Sequence, residues 1–109
     1  MNDAAHSTEE CAEGPQPREG AVVRVLTICN SKGLHARASA RFVQTVEKFD
    51  ADVRVSRCGE TVGGTSIMGL MMLAAAPGTK ITIDATGREA SAVIDALSEL
   101  IESRFGEKE

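Results

Sequence analysis

The chain has 109 residues, enough for one compact domain with a single core and too few for a second. Hydrophobic residues make up 42% and charged residues 26%, a balance that argues against disorder; with three Phe and no Trp or Tyr, the core must come from Val, Ile, Leu, Met and Ala. The formal net charge is -4, and the absence of a basic stripe with interleaved aromatics argues against nucleic acid as a partner.

Residues 1–20 are rich in Glu, Ala, Gly and Pro, and Gly14-Pro15-Gln16-Pro17 cannot hold a regular element, so a disordered acidic tail is expected there. The segment has no hydrophobic stretch of the kind a secretory signal needs, and no apolar run in the chain approaches the ~20 residues of a membrane span. A cytoplasmic protein without membrane insertion is expected. Cys11, Cys29 and Cys58 form an odd, scattered set without a C-x-x-C pair, which suits free thiols in a reducing compartment and offers no zinc site.

From Val22 the texture changes, and the domain is expected to run over residues 21–106, with 107–109 as a short C-terminal tail. Val22 to Ile28 is a β-branched run that predicts a strand, although Arg24 blurs which face is buried. Asn30-Ser31-Lys32-Gly33 is a turn or loop. Ala36 to Lys48 predicts a helix, with Phe42, Val43, Val46 and Phe49 on one face at helical spacing. Asp52 to Ser56 alternates with Val53 and Val55 inward, and Gly59 turns the chain into a short strand from Glu60 to Val62. Gly63-Gly64 ends that strand, and Thr65 or Ser66 supplies a hydroxyl to cap a short helix from Ile67 through Leu73.

Ala76-Pro77-Gly78 is a turn, and Lys80 to Ala85 alternates with Ile81 and Ile83 inward. The last helix is expected from Glu89 to Phe105, with Val93, Ile94, Leu97, Leu100 and Ile101 as its stripe and Gly106 ending it. The order β-α-β-β-α-β-α, with the helices on one face of four strands, makes an α+β open sandwich whose other sheet face meets solvent.

The segment with chemistry in it is Gly33-Leu34-His35-Ala36-Arg37-Ala38-Ser39-Ala40. A histidine stands where a loop becomes a helix, and helix N-termini present unpaired N–H groups and partial positive charge that suit a phosphate. The same charge disfavours imidazolium and so favours the nucleophilic neutral ring of His35. Arg37 offers planar, permanently charged donors to phosphoryl oxygens. The small residues around them leave room for a partner to approach. Read by itself, the segment fits equally a surface histidine capping a helix beside a solvated arginine.

Gly33-Leu34-His35-Ala36-Arg37, followed by small residues, resembles the active-site segment of the HPr family, the histidine phosphocarriers of the bacterial phosphotransferase system. Ser66-Ile67-Met68-Gly69-Leu70-Met71-Met72-Leu73 resembles the regulatory-serine helix of the same family, and the likeness extends over Val22 to Phe105. The resemblance implies an open-faced β-sandwich with a four-stranded antiparallel sheet of order 1-4-2-3. It implies that His35 is phosphorylated on Nδ1 by enzyme I, with phosphoenolpyruvate as the ultimate donor, and that an enzyme IIA is the acceptor. Arg37 then steadies the phosphoryl group, and the backbone amides of Ala36 and Arg37 complete its pocket.

Ser66 matches the serine modified by HPr kinase/phosphorylase, while Ile67, Met68 and Met71 match a docking patch beside the histidine, with Leu70 and Leu73 turned to the core. Arg41 and Lys48 add a sparse basic fringe. One position departs from the family pattern: Pro usually follows the arginine, and here it is Ala38, which keeps the helix and bears on partner fit. The carrier so implied is a monomer that reacts stoichiometrically and is not an independent enzyme; it needs no metal and no cofactor. The rival reading is a regulatory binding module of the same fold, acting through Ser66 and docking in a carbon- or nitrogen-signalling cascade without sugar transport; His35 counts against it. A true enzyme is disfavoured because no second acid–base group lies near His35 in sequence and no nucleotide loop is present.

Overall fold

The computed structural model describes residues 18–107. Its elements are β1 (Val22–Thr27), α1 (Ala36–Val46), β2 (Asp52–Arg57), β3 (Glu60–Gly63), α2 (Ile67–Met72), β4 (Lys80–Thr86) and α3 (Ala90–Glu102), followed by a 3-10 turn at Arg104–Gly106. The strands form one antiparallel sheet in the order β1-β4-β2-β3. This is the α+β open-faced sandwich expected, with three helices and the order βαββαβα.

Alternation along the strands decides which face is covered, because successive Cβ atoms point to opposite sides of a sheet. Val53 and Val55 of β2, and Ile81, Ile83 and Ala85 of β4, turn to the helices and are buried. Leu26 continues that face on β1, while Val23 and Val25 lie on the open side and are exposed. Arg24 shares the helix-facing side of β1, opposite Ile83, and stays compatible with it by reaching the flank of α3. There Nη1 donates to Ser98 Oγ at 2.8 Å and pairs with Asp95 Oδ1 at 3.1 Å. The helices complete the core with Phe42 and Val46 from α1, Leu70 from α2, and Val93, Ile94, Leu97 and Ile101 from α3.

All three helices end earlier than the sequence predicts, α2 by a single residue at Met72. The chain leaves α1 at Val46, where three-residue bonds from Lys48 N to Thr45 O and Phe49 N to Val46 O tighten the last turn. The last helix stops at Glu102, because Arg104 (φ 60°) and Phe105 (φ 57°) are both left-handed and turn the chain back, which buries the Phe105 ring completely. A helix continued to Phe105 is therefore not what forms.

The expected tail over residues 1–20 is also corrected at its inner end. Arg18 is tied to the open side of the sheet, with Nη1 2.6 Å from Asp52 Oδ2 and Nη2 3.0 Å from Asp84 Oδ1. The pairing follows from Asp84 facing the open side of the central strand, where a carboxylate almost cut off from water needs a cation. Residues 1–17 of the expected tail lie outside the described residues. Cys58 is disulfide-bonded, whereas the sequence suggested a free thiol; Cys29 is free. Spacing along the chain is a poor guide to bridging, which needs only closeness in space. No helix among the described residues is long and apolar enough to cross a membrane.

Candidate functional site

The loop ahead of α1 is fixed at both ends. Leu34 is buried in the core, and its N–H donates to Ala75 O at 3.1 Å. Gly33 has φ +64°, and a Cβ there would collide with the Ala75 carbonyl oxygen, so only glycine lets the two chain segments approach. Asn30, wholly buried, closes the loop by donating from Nδ2 to Gly33 O at 2.9 Å. On the far side Ser39 N donates to His35 O at 2.8 Å, and Ser39 Oγ donates to Leu34 O at 3.3 Å. His35 thus sits between anchored neighbours as the N-cap of α1.

The His35 ring is itself the cap. Nδ1 accepts from the Arg37 backbone N–H at 3.3 Å, so it carries a lone pair, and the ring proton lies on Nε2. Nε2 donates to Glu107 Oε2 at 2.5 Å, and the other carboxylate oxygen, Oε1, accepts from Asn30 Nδ2 at 3.1 Å. Burial works against the Glu107 charge, but the hydrogen bonds from His35 and Asn30, with the charge of Lys32 nearby, outweigh it and hold the carboxyl below its ordinary value. The His35 side chain remains 28% exposed, so a protein partner can reach it.

Around the ring lies a cleft of about 490 Å³ lined by Ser31, Lys32, His35, Ala36, Arg37, Arg41, Gly106 and Glu107. Arg37 is exposed at its rim, and its guanidinium has no partner among the described residues. Arg41, expected in a sparse basic fringe for partner docking, lines the cleft and donates from Nη1 to the Phe105 carbonyl, which braces the C-terminal turn. Ala38, where the family pattern has Pro, is completely buried, whereas Ala36 is exposed beside the ring. The arrangement offers one ring nitrogen with a lone pair at a helix N-terminus, with cationic side chains on the same cleft: a site suited to a phosphoryl group.

Glu107 and Asn30 are the site residues that sequence reasoning missed. Glu107 lies in the expected C-terminal tail, yet its carboxylate meets the imidazole across 72 positions of sequence. No second acid–base group lies near His35 in sequence, but Glu107 reaches it in space, because the left-handed turn after α3 carries the chain back to the cleft. Among the described residues no cluster of His, Cys, Asp and Glu could hold a metal ion.

Ser66, not Thr65, caps α2, with Oγ accepting from Gly69 N at 2.9 Å. Gly69 is small by necessity, since a Cβ would press on Ser66 Oγ and Val62. Ile67 and Met71 are each 40% exposed and Met68 68%, while Leu70 and Leu73 are buried. Met72, 71% exposed, extends the apolar surface beyond the residues the sequence singled out. Helix α2 packs against α1, whose N-terminus carries the histidine.

An open-faced sandwich with strand order 1-4-2-3 and an imidazole capping its first helix defines the class of histidine phosphocarrier folds. A family model described as the PTS HPr component phosphorylation site matches residues 22–103. The chain is 48% identical over 82 residues to a phosphocarrier protein HPr of Xylella fastidiosa, covering 75% of this chain and 92% of that one. A crystal structure of HPr from Thermoanaerobacter tengcongensis superposes with a TM-score of 0.77 at 40% identity, covering 81% of this chain and 99% of the other. A crystal structure of an HPr dimer from the same organism gives 0.64 at 43% identity, with 75% and 94% covered. The chain belongs to the HPr family, the phosphocarrier proteins of the phosphotransferase system. Membership makes it a carrier protein by family, with partners of the kind enzyme I and enzyme IIA represent.

Proposed function

We propose that this protein is a cytoplasmic, monomeric phosphoryl carrier that accepts a phosphoryl group on His35 Nδ1 from phosphorylated enzyme I and passes it to an enzyme IIA. The observation that carries this reading is the ring's hydrogen bonding: Nε2 is committed to Glu107, and Nδ1 keeps its lone pair at the N-terminus of α1. When Nδ1 attacks, the Arg37 N–H that now faces the lone pair is placed to donate to a phosphoryl oxygen, with the Ala36 N–H beside it. Arg37 meets the remaining charge with its guanidinium. Phosphoryl transfer needs alignment and charge stabilisation far more than covalent assistance, so an exposed and rigidly held ring suffices. No metal or cofactor enters this scheme.

Ser66 is the proposed regulatory site, modified by HPr kinase/phosphorylase. Its hydroxyl is exposed at a helix N-terminus, where added negative charge is tolerated, next to the apolar surface of Ile67, Met68 and Met71 proposed for docking. A phosphate there would repel acidic partners approaching the His35 cleft. Incubation with phosphoenolpyruvate and enzyme I tests the carrier reading. The wild-type protein should gain one acid-labile phosphate per chain and the His35→Ala variant none; equal labelling of both, or none of either, contradicts it.

A further inference from the structure

Glu107 and Asn30 are built into the site around the histidine. The Glu107 carboxylate uses one oxygen for His35 Nε2 at 2.5 Å and the other for Asn30 Nδ2 at 3.1 Å. Asn30 is wholly buried and also grips Gly33 O at 2.9 Å, so the carboxylate is anchored to the loop that carries the histidine. Its own side chain is only 14% exposed, which sets it apart from a passing surface ion pair. The chain is brought there by structure that would otherwise be strained: Phe105 is left-handed, fully buried, and fastened through its carbonyl to Arg41.

We propose that Glu107, held by Asn30, is a positioning residue for phosphoryl transfer, which fixes the ring and its Nε2 proton so that Nδ1 is the nucleophile and which offsets the positive charge the ring gains. The proposal rests on the carrier reading. In the step itself the Nδ1 lone pair forms the N–P bond, the bond from phosphorus to the donor breaks, and its electron pair leaves with the donor. Nε2 keeps its proton throughout, so the ring becomes cationic, and the fixed carboxylate opposes that charge at hydrogen-bond distance. On onward transfer the N–P electron pair returns to Nδ1 and the ring is again neutral. Lys32, Arg37 and Arg41 share the cleft, so the carboxylate also keeps the cationic side chains from leaving an uncompensated field at the imidazole.

The test is steady-state phosphorylation by enzyme I of wild type, Glu107→Gln, Glu107→Asp and Asn30→Ala, with proton NMR of the unphosphorylated proteins. Glu107→Gln should lower kcat about ten- to a hundredfold, the scale of one charge-assisted hydrogen bond, and leave KM within about twofold. Glu107→Asp should recover part of the loss. The wild-type spectrum should show an Nε2 proton shifted downfield and protected from exchange, and Glu107→Gln and Asn30→Ala should lose or weaken it. An unchanged kcat in Glu107→Gln, or an Nε2 proton no different from that of an exposed histidine, overturns the proposal while leaving the carrier reading intact. Failure of wild type to accept phosphate would instead count against the reading beneath it. Melting temperatures of the variants separate lost positioning from lost folding.

Discussion

At the scale of single residues, the site is a division of labour between two ring nitrogens. Nε2 is occupied by a carboxylate, Nδ1 faces the Arg37 backbone N–H, and the exposed Arg37 guanidinium has no partner among the described residues. Replacing Arg37 by Ala should lower kcat/KM for phosphorylation about ten- to a hundredfold, as loss of a charge-assisted contact to the phosphoryl group would, and Lys should restore only part of it. Transfer kinetics measured with enzyme I check this.

The Glu107 carboxyl also makes stability depend on pH. Its folded value lies below the ordinary 4.5, so it stabilises the fold fully above the carboxylate range and ceases to do so as pH falls through the folded value. Melting curves of wild type and Glu107→Gln should differ near neutrality and converge in acid below 4.5. A gap that stays constant across that window contradicts the assignment.

At the scale of elements, helix entry and exit do the placing. Gly33 lets the loop pass against Ala75, and substitution by Ala adds both left-handed strain and a backbone collision. It should destabilise the protein by at least about 1–3 kcal/mol, read as a lower denaturant midpoint. Ser66→Ala removes the cap of α2 and should cost about 1 kcal/mol, whereas Ser66→Asp retains a capping oxygen and keeps stability. If Ser66 regulates docking, the same Asp variant should nonetheless raise KM for enzyme I, and an unchanged KM would remove that role. Phe105→Ala empties a fully buried site and should cost about 3–5 kcal/mol while releasing the Glu107 clasp.

Much of this level was legible in advance, because it is local. Alternation in β2 and β4, the stripe of α3 and the hydroxyl before α2 are all set within a few residues. The end of α3 was not legible. Nothing in Ser103-Arg104-Phe105 marks two left-handed residues; they arise because burying Phe105 outweighs continuing the helix.

At the scale of the molecule, what escaped the sequence is what the topology brings together. His35 and Arg37 lie within one turn of helix and could be recognised as a pair, but Glu107 reaches them only once α3 has packed on the sheet. Arg18 is a second instance: it reads as part of an acidic tail until Asp52 and Asp84 are seen on neighbouring strands. Arg18→Ala should lower stability by about 1–3 kcal/mol, since it strips the partner from a nearly buried carboxylate; chemical denaturation measures it.

The atom that carries the phosphoryl group is identified most directly by phosphorus–nitrogen correlation NMR on the loaded, histidine-labelled protein. The predicted result is phosphorus coupled to His35 Nδ1, with the proton retained on Nε2. Phosphate on Nε2, or on any other residue, would contradict the account.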